Sequence, residues 1–454
     1  MRAILLLGVL LMTHDAAGQW RIVTLDPGHF HAALIQKEAL ADLAPQAYVY
    51  APLGPDLSAH LNRIAGFNAR KDKPTHWTTR IYAGADYWER LLAEKPGDLV
   101  VLSGRNKGKI DRIDQLARLG LHVLGDKPWI IEPEDLPKLE AALAHAKQKN
   151  VAVFDGMTQR YEISCILQKE LVNAPGVYGS QLPGTLDEPG VYMESVHFLL
   201  KLVAGAPNLR PAWFFDIRQQ GEGLTDVGTH LVDLVQWTLS PGKPVDYRKD
   251  IEVVRGSRWP TLLTLAQYQR VTGVPAFPDY LAEVKPDGLH YFCNNRVEYK
   301  LRGTHVRLDV KWDYEAAPGT SDTELAIFRG SLARVDVRQG KAENFKPEVF
   351  VVPNRAEDKA KVGAALQAKL AALGGEWPGL GMEDRGAEFH VTIPETFRIG
   401  HEAHFAILTG KFLEYAKTPA ATPDWETPYM LAKYYVTTQG VAQARKSGSG
   451  KPTD

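Results

Sequence analysis

The segment Asp98-Leu99-Val100-Val101-Leu102-Ser103 is followed by Lys109-Ile110-Asp111-Arg112-Ile113-Asp114-Gln115-Leu116-Ala117-Arg118-Leu119 and then by Leu121-His122-Val123-Leu124. The first run is almost continuously apolar, as a strand buried on both faces must be. In the second, Ile110, Ile113, Leu116 and Leu119 recur at three-residue steps, which predicts a helix with one apolar face. The third is another short apolar strand. Strand, helix and strand in so few residues imply two parallel strands joined by a right-handed crossover. The same rhythm extends outward. Residues 21–25, 46–50 and 151–154 read as strands, and residues 32–43, 86–94 and 132–150 as helices. The region from residue 19 to about 155 is therefore predicted to be a doubly wound parallel sheet.

Beyond residue 155 the rhythm changes. Residues 161–172 and 191–203 read as helices, and residues 213–218 as a strand. Residues 224–239 read as a helix with Leu231, Leu234 and Val235 on its apolar side. From about Ile251 strands follow one another, with clear alternation in Val297-Glu298-Tyr299-Lys300-Leu301 and His305-Val306-Arg307-Leu308-Asp309-Val310. Successive strands without intervening helices indicate an antiparallel sheet. Residues 156–446 are expected to form an α+β domain with a large, mostly antiparallel sheet, and residues 447–454 a polar tail.

The chain has 454 residues, 44% of them hydrophobic, and its 53 Lys+Arg nearly balance 54 Asp+Glu. A balanced, ordinary composition excludes a disordered or collagen-like chain. It also argues against nucleic-acid binding, which needs a concentrated basic face. Met1-Arg2, the apolar stretch at residues 3–12 and Ala16-Ala17-Gly18 have the form of a secretory signal peptide ending at residue 18. That stretch is too short to span a membrane, and no later segment is long and apolar enough. A secreted or periplasmic location is expected. Cys165 and Cys293 are too few for a disulfide scaffold, and whether they pair is open.

The turn after the first strand reads Leu25-Asp26-Pro27-Gly28-His29-Phe30-His31-Ala32. A dinucleotide site wants several glycines here, so that the backbone can approach the pyrophosphate at a helix N-terminus. One glycine is present, Pro27 has no amide proton, and Asp56 is the nearest acid for a ribose, displaced from its usual place. His29 and His31 could ligate a metal, as two imidazoles close together on an extended segment, but packing is the commoner role of a histidine near a helix start. No resident metal is expected. Lys127, at the end of the strand at residues 121–124, should point into the crevice beyond the parallel sheet. In Gly223-Leu224-Thr225-Asp226-Val227-Gly228-Thr229-His230, the acid and the imidazole are four apart, on one helix face. Such a pair can orient a base and remove a hydroxyl proton.

Together, Asp126-Lys127-Pro128, the Gly223–His230 segment, Gly28-x-x-His31 and Ser103-Gly104-Arg105-Asn106 resemble the Gfo/Idh/MocA family (glucose–fructose oxidoreductase and inositol dehydrogenase). The first matches the family's Glu-Lys-Pro with Asp for Glu, and the last falls where the family often has Thr-Pro-Asn. The resemblance implies a Rossmann domain and an open-sheet C-terminal domain. It also implies NAD or NADP as cofactor and a sugar or polyol as substrate. Lys127, Asp226 and His230 would then be catalytic, and Gly28, His29, His31, Asn106 and Lys127 would adjoin the cofactor. Further candidates for the substrate site are Arg160 and Tyr161, at the crevice mouth, and Glu194 and His197, three apart on an expected helix.

The function expected is oxidation or reduction of a sugar, polyol or glycoside with a retained, internally recycled nicotinamide. Transient oxidation that permits glycosidic cleavage is a variant of the same chemistry. A cofactor-free carbohydrate-binding or regulatory protein on the same scaffold is the alternative from another class. A metal-dependent lyase or hydrolase using His29, His31 or His197 is a third. Homo-oligomers through an exposed sheet face are expected by family analogy.

Overall fold

Alternate residues of Ile22-Val23-Thr24-Leu25 pack into different cores, and this sets the architecture. In a computed structural model that describes residues 19–203, 206–448 and 450–451, strands β1 (Trp20–Leu25), β2 (Leu43–Ala51), β3 (Thr78–Ala83), β4 (Leu99–Leu102), β5 (His122–Gly125) and β6 (Val153–Asp155) form one sheet. Their order is β3-β2-β1-β4-β5-β6, and every pairing is parallel. On one face Val23, Val100 and Val123 meet Ile113, Leu116 and Leu139 of the helices Lys109–Arg118 and Leu136–Lys149. On the other, Ile22, Val101, Leu124 and Phe154 meet Phe405, Leu408 and Phe412 of the helix His401–Lys417. Each such side chain contributes about 1.5–3 kcal/mol on burial.

This second face is covered by a late part of the chain because the helix after β1 is short. It spans only His31–Leu34, and turns then lead into β2, whereas the sequence pattern predicts a helix over residues 32–43. The helix Pro55–Ala69 and edge strand β3 have no counterpart in the sequence reading. The segment at residues 1–18, read as a signal peptide, lies outside the described residues.

The remaining strands are β7 (Val191–Leu200), β8 (Leu202–Val203), β9 (Ala206–Pro207), β10 (Ile251–Leu263), β11 (Val284–Lys285), β12 (Gly288–Leu301), β13 (Thr304–Glu315), β14 (Thr323–Arg329), β15 (Ala333–Gln339), β16 (Glu348–Pro353), β17 (Gly381–Asp384) and β18 (Phe389–Thr392). Apart from the β8–β9 ribbon they form one ten-stranded sheet, in the order β10-β12-β13-β7-β14-β15-β16-β18-β17, with β11 beside β12. Only the β13–β7 pairing is parallel. The α/β fold expected from sequence is therefore present, a parallel sheet followed by a large, mostly antiparallel one.

Two local expectations fail. Residues 191–203, expected as a helix, supply the inner strand β7 and the start of a ribbon. Residues 213–218, expected as a strand, fall in a 3-10 turn (Ala212–Phe215) and the short helix Ile217–Gln220. The helix expected at residues 224–239 is present as Gly223–Asp226 and Gly228–Leu239, joined at Val227.

A buried charge network ties the end of β6 to the helices Gly228–Leu239 and Glu426–Lys446. Arg160 donates to both oxygens of Asp233, at 2.6 and 2.7 Å, and to Glu426 at 2.7 Å. Lys433, fully buried on the helix Glu426–Lys446, lies 2.6 Å from Asp155 and 3.4 Å from Asp233. Cys165 and Cys293 are both buried free thiols, so they do not pair. Among the described residues, no helix is long and apolar enough to cross a membrane.

Candidate active site

The carboxyl ends of parallel strands leave a crevice where the strand order reverses, here between β1 and β4. A cleft of about 1460 Å³ opens there. One wall comes from the first sheet: the β1 turn (Asp26 to His31), the β2 end (Ala51 to Asp56), Arg105 and Lys127. The other comes from the second part of the chain: His197, Arg210, Trp213, Asp226, His230 and Trp312, with His401 at the edge. At such a volume the cleft exceeds the usual range for a single small ligand.

Lys127 lies two residues past the end of β5 and donates from Nζ to Asp226 Oδ1 at 2.6 Å. Burial would raise the Asp226 carboxyl, but the Lys127 charge and hydrogen bond outweigh it and hold the group below its ordinary value. Asp226 therefore turns to Lys127 and not, as the spacing suggests, to His230. His230 lies one turn on, also facing the cleft. Burial, reinforced by Lys127, holds its pKa well below the usual imidazole range, so it is neutral at neutral pH. Its Nδ1 is buried without a hydrogen-bond partner among the described residues. A cation from one wall thus meets its carboxylate and a neutral base from the other.

The glycines of the motif have steric reasons. A Cβ on Gly223 would stand 1.9 Å from the Cys293 carbonyl oxygen on β12, so the helix carrying Asp226 can lie against that strand only with glycine. Gly28 is also crowded: a Cβ there would meet Trp213 at 2.9 Å.

In the β1 turn, most of the amides have partners. Asp26 donates to Tyr50, Gly28 to Asp26 and His29 to Ser103, while Pro27 has no proton. The amide cradle of a glycine-rich turn is thus largely used internally. Side chains replace it. The Arg105 guanidinium stacks over Trp213 at 5.3 Å and stands 3.7 Å from Asp26 and 3.9 Å from Asp56. Asp56, displaced in sequence, returns in space to the turn, where Trp213 Nε1 donates to it at 3.0 Å. Burial raises its pKa. A dinucleotide would fit such a crevice against the Gly28 turn, with Arg105 offering charge for phosphate and Asp56 an acceptor for ribose hydroxyls. Arg105 lies in the Ser103–Asn106 segment, where the sequence points to Asn106 instead, and Trp213 carries no motif, although it falls ten residues before Gly223.

His29 and His31 both line the cleft and both reach Asp126 behind it, at 3.1 and 3.0 Å. Ser103 Oγ donates to the same carboxylate at 2.9 Å. Burial takes His31 down to about 3, so its ring is neutral. Asn106 does not line the cleft. It is buried, donates to the Gln220 carbonyl at 2.7 Å and accepts from Lys109 Nζ at 2.6 Å. Lys109 also donates to the Asp126 backbone carbonyl, and burial lowers its pKa to about 8.

The four residues expected at the substrate divide. Arg160 is held in the buried charge network, and Tyr161 beside it also lies outside the cleft lining. On β7, Glu194 and His197 are three apart and so point to opposite faces. Glu194 binds Tyr192 and Lys311, away from the cleft. His197 lines the cleft, with Nδ1 3.1 Å from Asp322 and Nε2 2.7 Å from Ser195 Oγ. This reproduces the order of a Ser–His–Asp triad, but Ser195 is fully buried and beyond a substrate's reach. Glu162 and Glu324 line the same arm, and burial raises both.

Comparison with known proteins agrees with this geometry. Residues 167–445 match the family model described as "Putative oxidoreductase C terminal domain". No curated protein sequence matches the chain. A crystal structure described as "a putative oxidoreductase from Parabacteroides merdae" is 44% identical, covers 95% of this chain and 98% of that chain, and superposes with a TM-score of 0.92. Levoglucosan dehydrogenase in complex with NADH and levoglucosan is 13% identical over 95% of this chain and 98% of that one, with a TM-score of 0.56. GenD2 from gentamicin A biosynthesis, in complex with NAD, is 14% identical over 95% of each chain, also with a TM-score of 0.56. At these last two identities the likeness is one of fold. The family match and the 44% relative establish more: the chain belongs to the oxidoreductase family defined by this C-terminal domain, of the Gfo/Idh/MocA type.

Proposed function

We propose that this oxidoreductase uses NAD or NADP to oxidise a hydroxyl, or reduce the matching ketone, of a sugar, polyol or glycoside. The observation that carries the reading is the Lys127–Asp226 ion pair beside neutral His230, in one cleft with the β1 turn. The fold is also that of the NADH-bound levoglucosan dehydrogenase.

Lys127, ion-paired with Asp226, would donate to the substrate hydroxyl and stabilise the alkoxide as it forms. His230, neutral and facing the cleft, would accept the proton. Asp226 would position both Lys127 and the substrate. Gly28, Arg105 and Asp56 would hold the dinucleotide, which when bound supplies the hydride acceptor. Trp213 and Trp312 would offer apolar faces to a sugar ring.

A second reading, glycosidic cleavage through transient oxidation, is favoured by one observation. The cleft's far arm holds Glu162 and Glu324 with raised pKa values, and redox chemistry alone leaves these acids unused. Residues 1–18 would export the chain, which would require the nicotinamide to be retained and recycled within each turnover.

Titration with NADH, followed by energy transfer from tryptophan, tests the reading. Saturable binding by the unmodified protein, weakened at least about tenfold in Arg105→Ala, supports it. Absence of any binding of NADH or NADPH contradicts it.

A further inference from the structure

Asp126 is an unusual buried anion. Its side chain is almost fully enclosed, and a carboxylate in that position is normally paired with a cation or bound to a metal. Its partners here are Ser103 Oγ, His29 Nδ1 and His31 Nδ1. Among the described residues no lysine or arginine is ion-paired with the carboxylate, and Lys109 donates to the backbone carbonyl instead. The neighbouring acid, Asp226, does have its lysine. The charge missing at Asp126 coincides with two imidazoles aimed at one oxygen.

The spacing is that of ligands around an ion. Donors bound at about 2.1 Å stand about 3.0 Å apart at octahedral angles and about 3.4 Å apart at tetrahedral ones. Asp126 Oδ2 lies 3.1 Å from His29 Nδ1 and 3.0 Å from His31 Nδ1, and all three donor atoms fall within 4.8 Å of one another. The two rings are nearly perpendicular, with centroids 4.1 Å apart, so both Nδ1 atoms face Asp126 without the rings stacking. His29 and His31 line the cleft with Asp126 behind them, so an ion between them is reached from the cleft.

We propose that His29, His31 and Asp126 bind one divalent first-row transition-metal ion, with its open positions toward the cleft. Two imidazoles and one carboxylate select this class, of zinc or iron(II) character, over calcium or magnesium, which prefer all-oxygen sites. In the ion-free protein each Nδ1–H donates to Asp126. On loading, each ring carries its proton on Nε2 and turns the Nδ1 lone pair to the ion, so no net proton is released. The site explains the sequence departures together: the His29-Phe30-His31 turn and Asp126 in place of Glu are the two halves of one ligand set. It does not depend on the dinucleotide.

The test uses the full chain, stripped with chelator and then dialysed against zinc(II), cobalt(II) or iron(II). Elemental analysis should find about one ion per chain, and the cobalt form should show visible absorption of a low-coordinate nitrogen–oxygen site. His29→Ala, whose side chain is partly exposed, should keep its circular dichroism and bind the ion at least about tenfold more weakly, and folded Asp126→Asn should do the same. Retention of less than about a tenth of an equivalent of all three ions by the unmodified protein overturns the proposal. So does undiminished affinity in folded His29→Ala. NADH titration of the same stripped samples reports dinucleotide binding separately, so failure of one reading is not mistaken for failure of the other.

Discussion

Lys127 Nζ and Asp226 Oδ1, 99 residues apart in sequence, lie 2.6 Å apart in the cleft. The pair joins the end of β5 to the helix that precedes His230, and neither partner is exposed enough for water to replace the other. Removing either therefore leaves a nearly buried charge as well as removing a reacting group. Lys127→Ala and His230→Ala should each lower turnover by about 10²–10⁴-fold. Dinucleotide affinity should change little, because Gly28, Arg105 and Asp56 lie elsewhere on the wall. Steady-state kinetics beside equilibrium binding checks this. A variant that loses binding and turnover together would show a structural role.

Gly223→Ala tests the motif's steric logic. The new Cβ would stand 1.9 Å from the Cys293 carbonyl oxygen, a backbone atom of the second sheet that cannot easily yield. Overpacking of this kind costs about 1–3 kcal/mol, and more when backbone must move. The variant should show a clear fall in denaturation midpoint and an activity loss from displaced Asp226. An unchanged midpoint would mean the helix has room to shift.

Asp233→Ala addresses the buried network. It leaves Arg160 with Glu426 alone and Lys433 with Asp155 alone. Breaking a buried pair from one side costs about 3–5 kcal/mol. Chemical denaturation should show a loss of that order. Burial opposes ionisation of Asp233, but Arg160 and Lys433 hold its pKa down to about 2. A depressed carboxylate stabilises above its unfolded pKa and stops doing so as pH falls through the folded value. The network should therefore fail between about pH 4 and 2.

Histidines add a milder pH dependence at higher values. Burial lowers His60 and His404 from an ordinary 6.5 to about 4. Between those values the unfolded chain binds protons that the folded chain refuses, so stability rises with pH there. Denaturation midpoints should decline as pH drops from about 6.5 to 4, and His60→Gln should flatten part of that slope. A midpoint independent of pH across this window would contradict the assigned burial.

The parallel sheet is readable in the sequence because β1, β4 and β5 are largely buried on both faces, and their runs are mostly apolar. Strand β3 is hidden because it is an edge: Thr78, Arg80 and Ile81 are exposed, and its alternation is weak. The helix Pro55–Ala69 buries only Leu57, His60 and Ile64 in fifteen residues, too sparse a stripe to announce itself. Strand β7 misleads for the opposite reason. An inner strand with mixed neighbours, Val191 to Leu200 carries apolar residues on both faces, and its spacing imitates a helix.

At the site, Lys127, Asp226 and His230 are legible as motifs, and the structure brings them together. The Lys127–Asp226 pairing is not legible, because helix spacing points to Asp226 with His230. Arg160 fails as a cleft residue because its partners, Asp233 and Glu426, are 73 and 266 residues away and draw it inward. The convergence of His29, His31 and Asp126 likewise depends on two different strand ends meeting, which no local pattern reports.

The most direct test of the central claim is hydride transfer itself. The purified chain is incubated with NAD+ or NADP+ and a panel of sugars, polyols and glycosides, and the absorbance of reduced nicotinamide is followed in solution and after denaturation. The expected result is substrate-dependent formation of NADH or NADPH, free or released on denaturation, abolished by Lys127→Ala. No reduced nicotinamide with any sugar, from a protein that carries and binds no dinucleotide, would contradict the assignment.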